Sequence, residues 1–118
     1  MTLEQCYDNL HGNFANAMRC LRKEDRIKKY LHLFPSDTSM AKLNDAVQHD
    51  DTEAAIEAVH TLKGVVANMG FTELFNQASA LTEQLRSKTQ LPDPKLFAAV
   101  KDAYDTVIAA IEQYEKES

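Results

Sequence analysis

The stretch from Asp51 to Met69 constrains this chain more than any other. It has no proline, and its only glycine is Gly64. Ala55, Val59, Leu62, Val66 and Met69 recur at spacings of four, three, four and three residues. That is the stripe of a helix laid against a core, not the alternation of a strand. At roughly 100° per residue, His60 lies about 140° round the helix from Ala55. Gly64 points almost opposite the stripe, Ala67 lies near His60, and Lys63 sits between the two faces. The histidine is therefore placed outside the core-facing arc. It has a cation three residues on and a missing side chain four residues on.

The same period runs through the rest of the chain. Thr2 to Leu10 reads as a short helix capped by Thr2, with Leu3, Cys6 and Leu10 on one side. Gly12 stops it, and Asn13 caps a second short helix with Phe14, Ala17, Met18 and Leu21 inward. Glu24 to Phe34 follows, with Ile27, Tyr30, Leu31 and Phe34 on one side. Pro35 interrupts that helix, because it removes a donor and pushes residue 34 out of the helical region. Ser36 or Asp37 caps the continuation, where Met40, Leu43 and Val47 face inward. Asp51 or Thr52 caps the helix bearing His60, which ends near Gly70. Thr72 caps the next, to about Ser87, with Leu74, Ala78, Leu81 and Leu85 inward. Phe75, Ser79, Thr82 and Arg86 form an adjacent stripe. Asp93, with Pro94 at the first helical position, starts a last long helix whose stripe is Leu96, Val100, Ala103, Tyr104, Val107, Ile111 and Tyr114. Residues 115–118 are expected to fray. No strand alternation interrupts this, so the expected fold is all-α: an antiparallel four-helix bundle over 24–116 with short additional N-terminal helices over 1–21, forming one domain, 1–118.

Bulk properties narrow the function. A chain of 118 residues can build one real core. Its net charge of −5 argues against nucleic acid as the main partner, and the basic run from Arg19 to Lys29 is diluted by Glu24 and Asp25. No apolar run reaches membrane-spanning length, and Met1 to Gln5 lacks the pattern of a secretory signal, so the expected location is cytoplasmic. Cys6 and Cys20 have no metal-binding spacing and are expected to be free thiols. His49, Asp50, Asp51 and Glu53 are a candidate divalent-ion cluster that reads better as a capped turn. The glycines, Gly12, Gly64 and Gly70, are scattered singly, so there is no phosphate-cradling loop and no nucleotide-binding machinery.

The oddities around His60 have a shared chemical use. A neutral imidazole near pH 7 is a competent nucleophile. An ammonium one turn away can sit against phosphoryl oxygens. Glycine inside a helix costs about 1 kcal/mol relative to alanine, and it leaves room for another protein's surface. A solvated His-Lys pair and a glycine serving helix packing are the plainer alternatives.

His60-Thr61-Leu62-Lys63-Gly64, followed by small Ala67 and then Gly70, resembles the signature of histidine-containing phosphotransfer (HPt) domains. The resemblance extends from about Leu31 to the end. It implies a helical bundle that shuttles a phosphoryl group between its histidine and receiver-domain aspartates, acting as a phosphocarrier and not as an enzyme. On that resemblance His60 is the acceptor and Lys63 the phosphoryl stabiliser. Gly64 and Ala67 give clearance for the partner, and Ile56 and Phe75 form its binding rim. Members often carry Gln or Glu twenty-two residues after the histidine. Here Thr82 stands there, with a hydroxyl that offers the ring a weaker bond. Arg86 matches a position where some members carry a basic residue near the phosphoryl group. The implied partners are response-regulator receiver domains and a hybrid histidine kinase. No cofactor is expected on this chain, because the Mg²⁺ belongs to the receiver. A monomer is expected, since no sustained heptad seam is visible. The alternative function is a helical adaptor that binds a receiver without carrying phosphate.

Overall fold

The computed structural model describes residues 1–117. They form seven α-helices and one 3-10 turn, with no strand among the described residues. The helices are α1 (Leu3–Asn9), α2 (Phe14–Leu21), α3 (Glu24–Leu33), α4 (Ser39–Gln48), α5 (Thr52–Val66), α6 (Thr72–Gln84) and α7 (Pro94–Glu117). Helices α4 to α7 pack as an antiparallel four-helix bundle, each against the next in the chain, while α3 packs on α7 and α1 lies along α7. No helix is long and apolar enough to cross a membrane among the described residues.

Local chemistry sets most boundaries. Thr2 and Gln5 form a reciprocal capping box at α1, with Gln5 N donating to Thr2 Oγ1 at 3.1 Å and Thr2 N to Gln5 Oε1 at 2.8 Å. Asn13 Oδ1 accepts from Asn16 N at 2.9 Å to start α2. Pro35 sits in the 3-10 turn Phe34–Ser36, which separates α3 from α4. Asp37 Oδ2 then accepts from Ser39 N at 3.0 Å. Asp51 caps α5 by accepting from Ala54 N at 3.1 Å, and Asp93 Oδ1 accepts from Lys95 N and Leu96 N at the start of α7.

Four expectations need correction. Thr72 does not cap α6: Phe71 holds the cap position with no side-chain bond, and the carbonyl of His11 accepts from Glu73 N at 3.2 Å instead. Helix α6 stops at Gln84, short of Ser87. Tyr30 is exposed at 41%, because the buried arc of α3 is only Ile27 and Leu31 wide. Residues 115–117 stay helical instead of fraying, since His32 Nδ1 lies 2.6 Å from Glu115 Oε2 and the N-terminal ammonium 3.6 Å from Glu117 Oε1. Ser118 lies outside the described residues.

The core runs the length of the bundle and carries a cluster of aromatic rings where α1 and α2 close one end. Tyr7 is buried there, and its hydroxyl donates to the carbonyl of Met69 at 2.7 Å. Its ring packs edge-on to Phe14 at 5.6 Å and against Phe71 at 6.1 Å, and Phe34 continues the cluster to Phe71 and Tyr104. Burial raises the Tyr7 hydroxyl's pKa well above its ordinary value. It also pushes the Cys6 thiol up to about 11, and that thiol lies 3.6 Å from the carbonyl of Ala110. Gly12 and Gly70 bring two backbones together at this end, where Asn13 N donates to Gly70 O at 2.8 Å. Gly70 holds φ +70°, the left-handed region that favours glycine. Both cysteines are free.

Candidate functional site

Helix α5 sorts its residues by face. Ala55, Ala58, Val59, Leu62 and Val66 are buried. His60, Thr61, Gly64 and Ala67 are exposed, while Ile56 and Lys63 are half-buried at the edge of that surface. The split follows from the apolar period: five side chains anchor one side of the helix, which leaves the His60 side free. Thr61 is occupied locally, its hydroxyl donating to the Glu57 carbonyl at 2.9 Å. The His60 ring has no hydrogen bond or ion pair among the described residues.

Two neighbours shape the space around it. Lys63 Nζ stands 5.6 Å from the centre of the Phe75 ring on α6. An ammonium over an aromatic face is held by the ring quadrupole while its protons remain available. This joins two residues that the sequence placed at the site separately, a stabilising cation and a rim aromatic. Gly64 is open: a Cβ built there would meet nothing within 4 Å. Its role is therefore not helix packing within this chain, the plainer reading of a helical glycine.

The two expected helpers on the α6 side sit differently. Thr82 Oγ1 donates to the Ala78 carbonyl at 2.7 Å, so its proton is committed to its own helix. Arg86 lies past the end of α6, exposed, with its guanidinium 2.6 Å from Glu83 Oε2. The early stop of α6 removes Arg86 from the helical stripe that begins at Phe75. Ser79 belongs to that stripe, and no pattern in the sequence singles it out. Its hydroxyl oxygen is buried without a hydrogen-bond partner.

The His49–Glu53 cluster is a capped turn. Asp51 caps α5, and His49 Nδ1 lies 2.8 Å from the Asp45 carbonyl. The backbone bond to Asp45, then that residue's charge, raises the His49 pKa above its ordinary value. No group of three or more His, Cys, Asp or Glu side chains is placed to hold a metal among the described residues. A groove of about 630 Å³ between α4 and α5, lined by Asp45, His49, Asp51 and Glu57 among others, does not include His60.

One face of α5 thus brings together an exposed histidine, a ring-held ammonium and an open glycine on a four-helix bundle. The family model for the Hpt domain matches residues 35–110. The chain belongs to the Hpt domain family. The matched span starts at Pro35 and covers α4, α5, α6 and most of α7, so α1 to α3 lie outside it. Hpt domains serve histidine phosphotransfer in two-component signalling, as phosphocarriers and not as catalytic domains. They interact with response-regulator receivers and kinases. Neither a curated protein nor a solved structure matches the chain.

Proposed function

We propose that this chain is a stand-alone phosphotransfer protein whose acceptor is His60, relaying a phosphoryl group between receiver-domain aspartates in a multistep relay. The observation that carries this reading is the exposed, unpartnered His60 ring between Lys63 and the open backbone of Gly64. A receiver carrying an aspartyl phosphate docks on this face, over Gly64 and Ala67 and against Ile56 and Phe75. The His60 Nε2 lone pair forms the bond to phosphorus. The bond from phosphorus to the aspartate oxygen breaks, and the carboxylate leaves with its electron pair. Lys63 slides from the Phe75 ring toward the phosphoryl oxygens, and the receiver supplies the Mg²⁺. A second receiver runs the reaction in reverse. Positioning and charge stabilisation carry such transfers, which suits a site with one nucleophile, one cation and clear access. Residues 1–118 work as one unit, located in the cytoplasm and monomeric, with α1 and α2 closing one end of the bundle. Arg86, paired with Glu83, has at most a steering role, and the initial phosphate comes from a hybrid histidine kinase.

The test is transfer from a receiver charged with acetyl phosphate. The wild-type chain gains an acid-labile label, and His60→Ala gains none while keeping its helical circular dichroism. Equal labelling of His60→Ala would remove the assignment. Binding of the receiver without any label on the wild type would make the chain an adaptor instead. Lys63→Ala keeps the acceptor but transfers roughly tenfold more slowly, the worth of one charge-assisted hydrogen bond.

A further inference from the structure

We propose that Ser79 is the positioning residue for the His60 ring, filling the role that Thr82 does not. This rests on His60 being the phosphoryl acceptor. The placement follows from one contact and the direction of two helices. Lys63 Nζ stands over the Phe75 ring. Helices α5 and α6 run antiparallel and pack together. One turn back along α5 from Lys63 and one turn forward along α6 from Phe75 therefore move the same way. The first step arrives at His60 and the second at Ser79. Both residues lie on the outer flank of the α5–α6 groove, beside the buried rows of Val59 and Leu62 on one helix and Ala78 and Leu81 on the other. Packed helices stand about 8–10 Å apart, so side chains in one layer of such a groove can meet.

The second observation is the state of the hydroxyl. Serine and threonine inside a helix commonly donate to the carbonyl four residues back. Thr61 does so to Glu57, Thr82 to Ala78 and Thr106 to Asp102, at 2.7 to 2.9 Å. Ser79 does not, and its oxygen is buried with no partner. An unmade bond of this kind costs about 1–3 kcal/mol, so the oxygen is placed for something. Across the groove is an imidazole that also has no partner. The two are complementary: neither is bonded in the structure, and a turn of the His60 ring toward α6 lets Nδ1–H donate to Ser79 Oγ. That bond selects the tautomer whose lone pair is on Nε2, which points away from α6 toward an incoming receiver. It also strengthens as the ring gains positive charge during attack on phosphorus, so it favours the transition state over the resting ring.

The deciding experiment reads the tautomer directly, by ¹⁵N NMR of the histidine side chains in the full chain, with the His60 signals assigned by their loss in His60→Ala. In the wild type His60 is held mainly as the Nδ1–H tautomer. Ser79→Ala shifts it toward Nε2–H and slows transfer from a charged receiver roughly three- to tenfold, the worth of one hydrogen bond. Ser79→Thr, which keeps the hydroxyl, restores both. Alanine is the better helix former, so Ser79→Ala should not lose the fold, and a thermal melt checks this. An unchanged tautomer ratio in Ser79→Ala overturns the proposal, as does a Ser79→Thr no better than Ser79→Ala. If the wild type takes no phosphate at all, the phosphotransfer reading falls, and the tautomer ratio still decides the role of Ser79.

Discussion

Gly70 and Gly64 lie six residues apart and use the same missing side chain for opposite ends. At Gly70 a Cβ would come within 2.5 Å of the Asn13 carbonyl oxygen and 3.0 Å of Ala17 Cβ, and at Gly12 within 2.5 Å of the Gly70 carbonyl oxygen. At Gly64 it would meet nothing within 4 Å. One end of the molecule removes side chains so that two backbones can touch. The His60 face lacks one where nothing in this chain needs the room, which on the proposed function leaves the surface open to a receiver. Closeness at one end ties the α5–α6 turn to the α1–α2 junction, where Asn13 N donates to Gly70 O at 2.8 Å. A helical glycine is thus explained only by what surrounds it.

The largest expected effect is at the closed end. Gly70→Ala combines a left-handed backbone, about 1 kcal/mol, with overpacking against backbone, about 2 kcal/mol, for a loss on the order of 3 kcal/mol in urea unfolding. A loss no greater than that of Gly64→Ala would erase the contrast. Alkali should attack the same end. The Cys6 thiol is raised from 9.0 to about 11 in the folded chain, so the neutral form is favoured there. Its contribution is fully present below about pH 9 and is lost as pH rises through 11, on the order of 2 kcal/mol after allowing for relaxation. Cys6→Ala should remove that part of the alkaline decline, measured as unfolding free energy from pH 8 to pH 11. At the open face the sign reverses. Gly64→Ala should stabilise the chain by about 1 kcal/mol, since alanine is the better helix residue and nothing obstructs it. Gly64→Leu should leave the fold intact yet slow transfer from a receiver, and an unimpaired Gly64→Leu would show that partners do not approach over this position. The smallest effect is expected at Arg86. Its exposed ion pair with Glu83 predicts a stability change under about 0.5 kcal/mol for Arg86→Ala, and a smaller loss of transfer than for Lys63→Ala.

Much of this was legible in the chain itself. Apolar period and caps placed α1, α2 and the starts of α5 and α7 within a residue or two, because capping residues act over three or four positions and need no tertiary context, whereas α5 stops at Val66, short of Gly70. The exposure of His60 followed from its angle to the Ala55–Val66 stripe. What caps α6 was not legible, since Glu73 N donates to the carbonyl of His11, sixty-two residues away. Nor was the order at 115–117, which depends on His32 and on the N-terminal ammonium. Tyr7 gave no sign that its hydroxyl would be buried against Met69.

The sequence by itself determined that this is a helical bundle, which face of α5 is apolar, and that a histidine, a lysine and a glycine share the other face. Those are properties of a 3.6-residue period, and a period is written in the chain. Only the tertiary structure decided what each of the three does with its neighbours. It put the Lys63 ammonium over Phe75, left Gly64 in open space, ended α6 before Arg86, and left the Ser79 hydroxyl oxygen buried without a bond. Each of these depends on the register between α5 and α6, or on where a helix stops. Register comes from the packing of whole faces, which no local run of residues encodes.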